Sequence, residues 1–348
     1  MNIFFYTVLF ILGTLFGSFA SVVIYRIRSG EGGICGGRSH CKTCDRNLSV
    51  RELVPIFSWM FQGGTCSGCQ QKISYVYPIL ELVMGVLFLV AGYFLISPEL
   101  IFMGNSFEIF KLIYFLSIIF FTVIYVFYDI LYLEIPESIL LNLNILILGG
   151  LSFEILSAGV FDSRLVLFDW LKYTNGGQYL ALQLGLAGVI IGGLYTIMRA
   201  GLREIYDIGI LLWLWGLLIF ANNYFQSGFQ NSVFQSPLID GLYGALALFS
   251  FFFAQIVVSK GRWMGAGDLR IAIAMGLIVG IYFALPSGMI TYITGSIVGI
   301  GIILFSKILH TKQKEIDHQI PFGPFLACGY LGVMFFHPQI SAFIQQYF

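Results

Sequence analysis

Two aspartates and four cysteines are the residues of this 348-residue chain whose type and spacing could do chemistry. Asp129 closes an apolar run in Phe127-Tyr128-Asp129-Ile130, and Asp268 opens another in Gly265-Ala266-Gly267-Asp268. Ionisable groups beside lipid cost free energy and are usually retained for a function. Two carboxyls held close together cannot both ionise easily, so one keeps a proton while the other activates water, and the pair can attack an amide carbonyl. If they couple strongly, their titrations belong to the pair and not to either residue. Each aspartate also has a plainer reading. Asp268 suits a helix N-cap, and Asp129 followed by Pro136 suits a turn with proline at the first position of the next helix.

The cysteines form two knuckles, Cys41-Lys42-Thr43-Cys44 and Cys66-Ser67-Gly68-Cys69, with 21 residues between them. That pattern resembles a four-thiolate zinc site with a spacer slightly above the usual range. The alternative, a pair of disulfides, is disfavoured if the segment lies in reducing cytosol. Cys35 and His40 lack the paired spacing, and Cys328, inside an apolar run, reads as packing. Residues 27–76 hold too few apolar side chains for a core of their own, so metal would supply much of their folding free energy.

The elements that must position these residues are set by composition. With 58% hydrophobic, 17% aromatic and only 10% charged residues, the chain reads as an all-α, polytopic helical membrane protein. Apolar runs of about 20 residues, enough to cross a bilayer, fall near 3–25, 77–96, 109–128, 139–160, 179–198, 205–222, 238–258, 269–285, 288–306 and 321–344. That makes about ten transmembrane helices, of which the eighth is short and is expected to turn at Pro286. The first run lacks a basic start and a small-residue cleavage site, so it is expected to be a retained helix and not a secretory signal. If the amino terminus faces outward, all of the 18 Lys and Arg residues except Lys111, Arg164 and Lys172 lie on the inner side, as the positive-inside rule requires. Both aspartates then face the cytoplasm at similar depth, as does the tetracysteine loop, the one long polar segment. The implied organisation is a first transmembrane helix at 1–26, a cytoplasmic metal-binding domain at 27–76 and a membrane domain at 77–348.

Glycines at 265 and 267 remove Cβ atoms on either side of Ala266, permitting positive φ and close approach of another segment just before a helix starts. The helix dipole would then favour a charged Asp268. Trp59, Trp170, Trp213, Trp215 and Trp263 mostly fall near the expected interfaces, where amphipathic rings are favoured. His310 and His318, among Lys307, Lys312 and Lys314, read as a solvated basic face. No phosphate-binding glycine loop is present, and no nucleic-acid partner is expected.

Six blocks, in order along the chain, resemble those of the type IV prepilin peptidases, aspartic proteases of the GxGD class. They are Gly17-Ser18-Phe19 with Val22 to Arg26, the paired cysteine knuckles, Ser74 to Glu81 with Tyr77-Pro78, Asp129 with Pro136, Gly265 to Asp268, and Pro321-Phe322-Gly323-Pro324-Phe325. The resemblance implies a bifunctional enzyme of the bacterial inner membrane. It would remove the short basic leader of prepilins and pseudopilins and then N-methylate the new terminus with S-adenosylmethionine. By motif matching, Asp129 and Asp268 would be the catalytic pair, the cysteine loop the zinc-binding domain associated with methyl transfer, and Glu81 a further functional position on the cofactor side. A carboxylate in a first helical turn is also explained by the dipole alone.

The chain departs from the family pattern in three places: Ser21 stands where Asn is common, Glu137 where Asp is common and Arg270 where Lys is common. The separation of Asp129 from Asp268 is also long, with two additional spans. The segment 185–216 parallels 241–276, which suggests a partial duplication in which Asp207 is the degenerate counterpart of Asp268. Two readings of other classes compete: a proton- or cation-coupled transporter, and a zinc-stabilised membrane scaffold of a secretion complex.

Overall fold

The computed structural model describes residues 2–30, 39–160, 166–171, 209, 212, 215, 216, 219, 237–308 and 320–347. Seven helices among them are long and apolar enough to cross a membrane. They are α1 (Asn2–Ser29), α2 (Val76–Leu95), α3 (Ser106–Tyr132), α4 (Glu137–Val160), α5 (Pro237–Ser259), α6 (Ala266–Ile308) and α7 (Gly323–Tyr347). The described residues contain no strand, only two isolated bridges. The helical, multi-pass architecture expected from the apolar runs is therefore present. The expected span at 179–198, most of that at 205–222, and Asp207 lie outside the described residues.

The chain divides into two compact units, Met1–Leu131 and Tyr132–Phe348. In the first, α1 packs along α2 through small residues. A Cβ added at Gly13 would lie 2.7 Å from the Gly85 Cα, and one at Gly17 would lie 2.6 Å from the Glu81 Cα. Such spacing lets two backbones meet where lipid supplies no hydrophobic drive. Phe16 and Phe19 of α1 add ring contacts to Phe120 of α3, at 5.7 and 6.1 Å. The helices end on backbone signals: Gly30 after α1 has φ 70°, and Leu133 after α3 has φ 53°.

In the second unit α5 crosses α6 equally closely, with a Cβ at Gly276 only 2.3 Å from Ala245. α6 is two helices and not one. Gly280 has φ 67° and ψ 179°, and the contacts show that the chain reverses there. Gly241 faces Leu277 and Gly244 faces Gly276, while further along α5 Gln255 bonds Tyr292 at 2.7 Å. Residues 266–279 thus run against α5 and residues 281–308 run alongside it.

The eighth span is short, as expected, but the turn is at Gly280 and not at Pro286. Only glycine takes this φ without strain, whereas Pro286 sits inside the helix that follows and removes one backbone donor. The turn leaves helix-end groups to satisfy. The Trp170 indole N–H donates to the Ile278 carbonyl at 2.8 Å, and Asp240 Oδ1 accepts from the Ile281 amide at 3.4 Å. Trp170 is 1% exposed, a buried cap and not the interfacial ring expected.

Candidate functional site

The two cysteine knuckles fold alike because each closes the same small hairpin. The Cys41 amide donates to the Arg46 carbonyl and the Cys66 amide to the Gln71 carbonyl, both at 2.9 Å. Four residues after the first cysteine of each, Asp45 and Gln70 take φ 53° and 57°. Bridges join His40 to Asn47 and Thr65 to Lys72, at matching offsets. The four sulfurs converge within 4.8 Å of one another, and Cys41 and Cys69 Sγ lie 3.8 Å apart. A tetrahedral zinc with bonds of about 2.3 Å needs sulfurs about 3.8 Å apart, so the cage fits the ion.

The thiol electrostatics are compatible with a cation among the sulfurs. Backbone hydrogen bonds at Cys69 and Gly68 draw the Cys66 thiol down to about 6. Against a backbone hydrogen bond at Gln71, burial and the neighbouring thiols push Cys69 up to about 11. Four thiolates this close cannot coexist without a positive charge among them.

A polar tie locks one knuckle to the other. Glu52 accepts from Arg46, which follows the first knuckle, and from Ser67 inside the second; Arg46 also donates to Ser67 at 2.6 Å. The Glu52 carboxylate caps its own helical turn through the Ser49 amide at 2.8 Å. The Ser67 and Ser49 hydrogen bonds and the Arg46 contact hold Glu52 down at about 2. Gly68 lies close against this tie, since a Cβ there would lie 3.0 Å from Arg46 Nε.

Between this loop and the ends of α1 and α2 lies a cavity of about 430 Å³, within the range of small-molecule sites. Ser18, Ser21 and Glu81 line it from the helices, and Lys42 and Trp59 line it from the loop. Glu81 Oε2 accepts from the Ile56 amide at 2.7 Å, and Ile56 holds φ 63°, a costly conformation for a β-branched residue. Glu81 therefore fastens the loop to the membrane helices at the wall of the cavity. Ser21 and Glu81, to which spacing alone assigned no chemistry, meet here with the cysteine knuckles.

Asp129 is 5% exposed in the last turn of α3, and Asp268 is 7% exposed in the first turn of the helix that begins at Ala266. Asp268 is not the N-cap. From the third helical position it reaches back to accept the Gly265 amide at 3.1 Å, the carboxylate half of a capping box. Neither Gly265 nor Gly267 has positive φ; that role falls to Gly261, at φ 73°. Gly267 serves close approach, since a Cβ there would lie 2.9 Å from the Ile135 side chain. Next to this contact Arg270 pairs with Glu137, so two of the departures from the family pattern are partners.

Several acidic residues escaped sequence reasoning. Glu108 accepts the Ser97 amide at 2.7 Å, Glu154 the Leu167 and Phe168 amides at 3.3 Å, and Asp240 the Ile281 amide. Among the described residues, Glu81 and Asp268 join these three as buried carboxylates that fasten a backbone amide. Burial of an acid therefore does not by itself single out a catalytic group in this chain. The distant amide each one serves leaves no mark in local spacing.

Residues 11–95 match the family model of the bacterial peptidase A24 N-terminal domain. The chain is 38% identical over 135 residues to the prepilin leader peptidase/N-methyltransferase of Bacillus subtilis, covering 39% of this chain and 50% of that protein. It is 37% identical over 102 residues to the protein of the same name from Klebsiella pneumoniae, covering 28% and 44%. It thus spans half or less of these relatives. Similarity to the prepilin leader peptidase/N-methyltransferase of Stutzerimonas stutzeri extends over 97% of this chain and 92% of that protein, at 23% identity. No solved structure matches. The resemblance read from the six blocks is borne out.

Proposed function

We propose that the chain is a membrane aspartic endopeptidase of the bacterial inner membrane. It would remove the leader of type IV prepilins or pseudopilins at the cytoplasmic face and N-methylate the new terminus with S-adenosylmethionine. The observation that carries this reading is the similarity, over 97% of the chain, to a protein named for both activities. In this organisation residues 27–76 are the zinc-binding domain, and 77–348 carry the peptidase.

Asp129 and Asp268 form the catalytic pair in this reading. Asp129 lies six residues before Ile135, which packs on Gly267, next to Asp268. The helix end at Asp129 is the negative pole of its dipole and the helix start at Asp268 the positive pole, an asymmetry suited to a pair that shares one proton. The ionised carboxylate takes a proton from water as its oxygen attacks the scissile carbonyl, and the protonated carboxyl donates to the carbonyl oxygen. Collapse of the adduct breaks the C–N bond: the departing amine takes the proton drawn from water, and an adduct hydroxyl returns its proton to the other carboxylate, restoring the pair. A prepilin leader is basic and its cut site borders a transmembrane helix, so a pair at the inner interface reaches the bond without unwinding the helix centre.

The four cysteines hold zinc, whose part is to fix the fold of the loop. The cavity beside them is the place for methyl transfer. When bound, S-adenosylmethionine supplies a methyl group bearing a positive sulfonium. Glu81 sets the position of the loop over the helix ends, and the rings and serines of the wall shape the space.

Purified protein incubated with a prepilin-type peptide should cleave it before the hydrophobic segment, and with S-adenosylmethionine the product should gain one methyl group. Cleavage that persists in an Asp129→Ala, Asp268→Ala double variant would exclude the carboxylate pair.

A further inference from the structure

We infer that Tyr25 and Tyr77 form a two-ring cation site in the 430 Å³ cavity, and that this site takes the sulfonium of the methyl donor, displacing the Lys42 ammonium that rests there. The inference rests on the methyl-transfer reading above and specifies how the donor is recognised.

The Lys42 Nζ lies 4.1 Å from the centroid of Tyr25, near the end of α1, and 5.8 Å from that of Tyr77, in the first turn of α2. Both distances are within the reach of a cation–π attraction, about 6 Å. All three residues line the cavity. The rings come from two membrane helices held together at Gly17, so their separation is fixed by packing. The cation comes from a flexible side chain inside the Cys41-x-x-Cys44 knuckle.

A rigid pair of half-buried aromatic faces is the usual means of recognising an alkylated cation that cannot donate hydrogen bonds. A sulfonium is such a group, whereas a lysine ammonium is better hydrated and less costly to release to water. The donor differs from its spent product, S-adenosylhomocysteine, only by the methyl group and the positive charge. Two ring faces that reward that charge would hold the donor more tightly than the product, which favours turnover. Since Lys42 lies between two cysteines of the metal cage, the cage governs where the displaceable cation sits.

The test is calorimetric binding of S-adenosylmethionine and S-adenosylhomocysteine to the purified, zinc-loaded full chain, with zinc content checking the fold of each variant. Wild type should prefer the donor. Tyr25→Leu and Tyr77→Leu, made separately, should each reduce that preference by about 2- to 30-fold, chiefly by weakening donor binding. Tyr25→Phe, which keeps the ring, should retain it, and Lys42→Ala, which removes the occupant, should bind the donor more tightly. An unchanged ratio in both leucine variants, with donor binding intact, would overturn the cation site while leaving methyl transfer standing. A wild type that binds neither molecule and leaves the cleaved product unmethylated would overturn the methyl-transfer reading as well. Weaker donor binding in Lys42→Ala would overturn the cation site but not methyl transfer, because the lysine would then be part of the site and not its placeholder.

Discussion

Arg270 and Glu137 pair across 133 residues of chain, tying the first helical turn after Gly265 to the start of α4. Each replaces a residue of different length that is common in the family, and the longer acid meets the forked cation. Beside them Ile135 fills the space left by the missing Cβ of Gly267. The tie and the contact together fix Ile135 and Glu137 against the turn that carries Asp268.

Breaking that tie should slow peptide cleavage without abolishing it. Glu137 is 75% exposed and Arg270 36%, and exposed pairs are worth about 0–1 kcal/mol, so Glu137→Gln or Arg270→Met should lower kcat/KM by no more than about fivefold. Arg270→Lys should recover most of the loss, and the Glu137→Arg, Arg270→Glu exchange should recover part of it. Steady-state kinetics on a prepilin-type peptide provide the comparison.

Removing metal should unfold the cysteine loop while the membrane helices persist. Metal analysis of the full chain should show about one zinc, and Cys66→Ser should lose it. Chelation should expose Trp59, whose indole donates to the Ile73 carbonyl at 3.1 Å, and its fluorescence should shift accordingly. Full zinc retention by a variant lacking all four paired cysteines would reject the site.

Acid should release the metal, and Glu52 should determine how early. Its carboxyl is drawn from 4.5 to about 2, so its contribution to stability is complete above pH 4.5 and is lost as pH falls through about 2. Between pH 7 and 5 the wild-type loop therefore keeps the whole tie between the knuckles, while protonation of the thiols begins to oppose metal binding. Glu52→Gln should consequently release zinc at a higher pH than wild type. Coincident release curves would show that the tie with Arg46 and Ser67 does not support the cage.

At the reversal in α6, Gly280→Ala should be among the most damaging single-methyl changes. A Cβ there would lie 2.0 Å from Asp240 Oδ2, and the backbone would be held at φ 67°. Strain of this kind costs about 1–3 kcal/mol, to which displacement of the Asp240 cap would add. Thermal unfolding in detergent should show a clear loss for Gly280→Ala and little for Gly288→Ala, where open space surrounds the added atom.

The membrane helices and the cysteine cage were legible because their signals are local. Apolar runs of spanning length report themselves through composition, and a C-x-x-C pair brings its own hairpin. The place of the turn in α6 was misjudged because proline is the stronger local punctuator. What selected Gly280 was the approach of Asp240, 40 residues earlier, and the indole of Trp170, more than a hundred residues earlier. Burial of an acid, taken alone, suggested chemistry; the structure shows five such acids fastening backbone amides.

By itself the sequence determined that the chain would be helical and embedded in a bilayer, and that four thiols would gather in one polar loop. Those properties follow from how each short stretch partitions between water and lipid, or from ligands only a few residues apart. Tertiary structure decided which glycines serve close approach and which serve a turn. It also decided that Arg270 answers Glu137, and that Glu81, Ser18 and the loop enclose one cavity. Each of these depends on segments far apart in sequence meeting within a few ångströms, a relation that hydropathy and spacing do not encode.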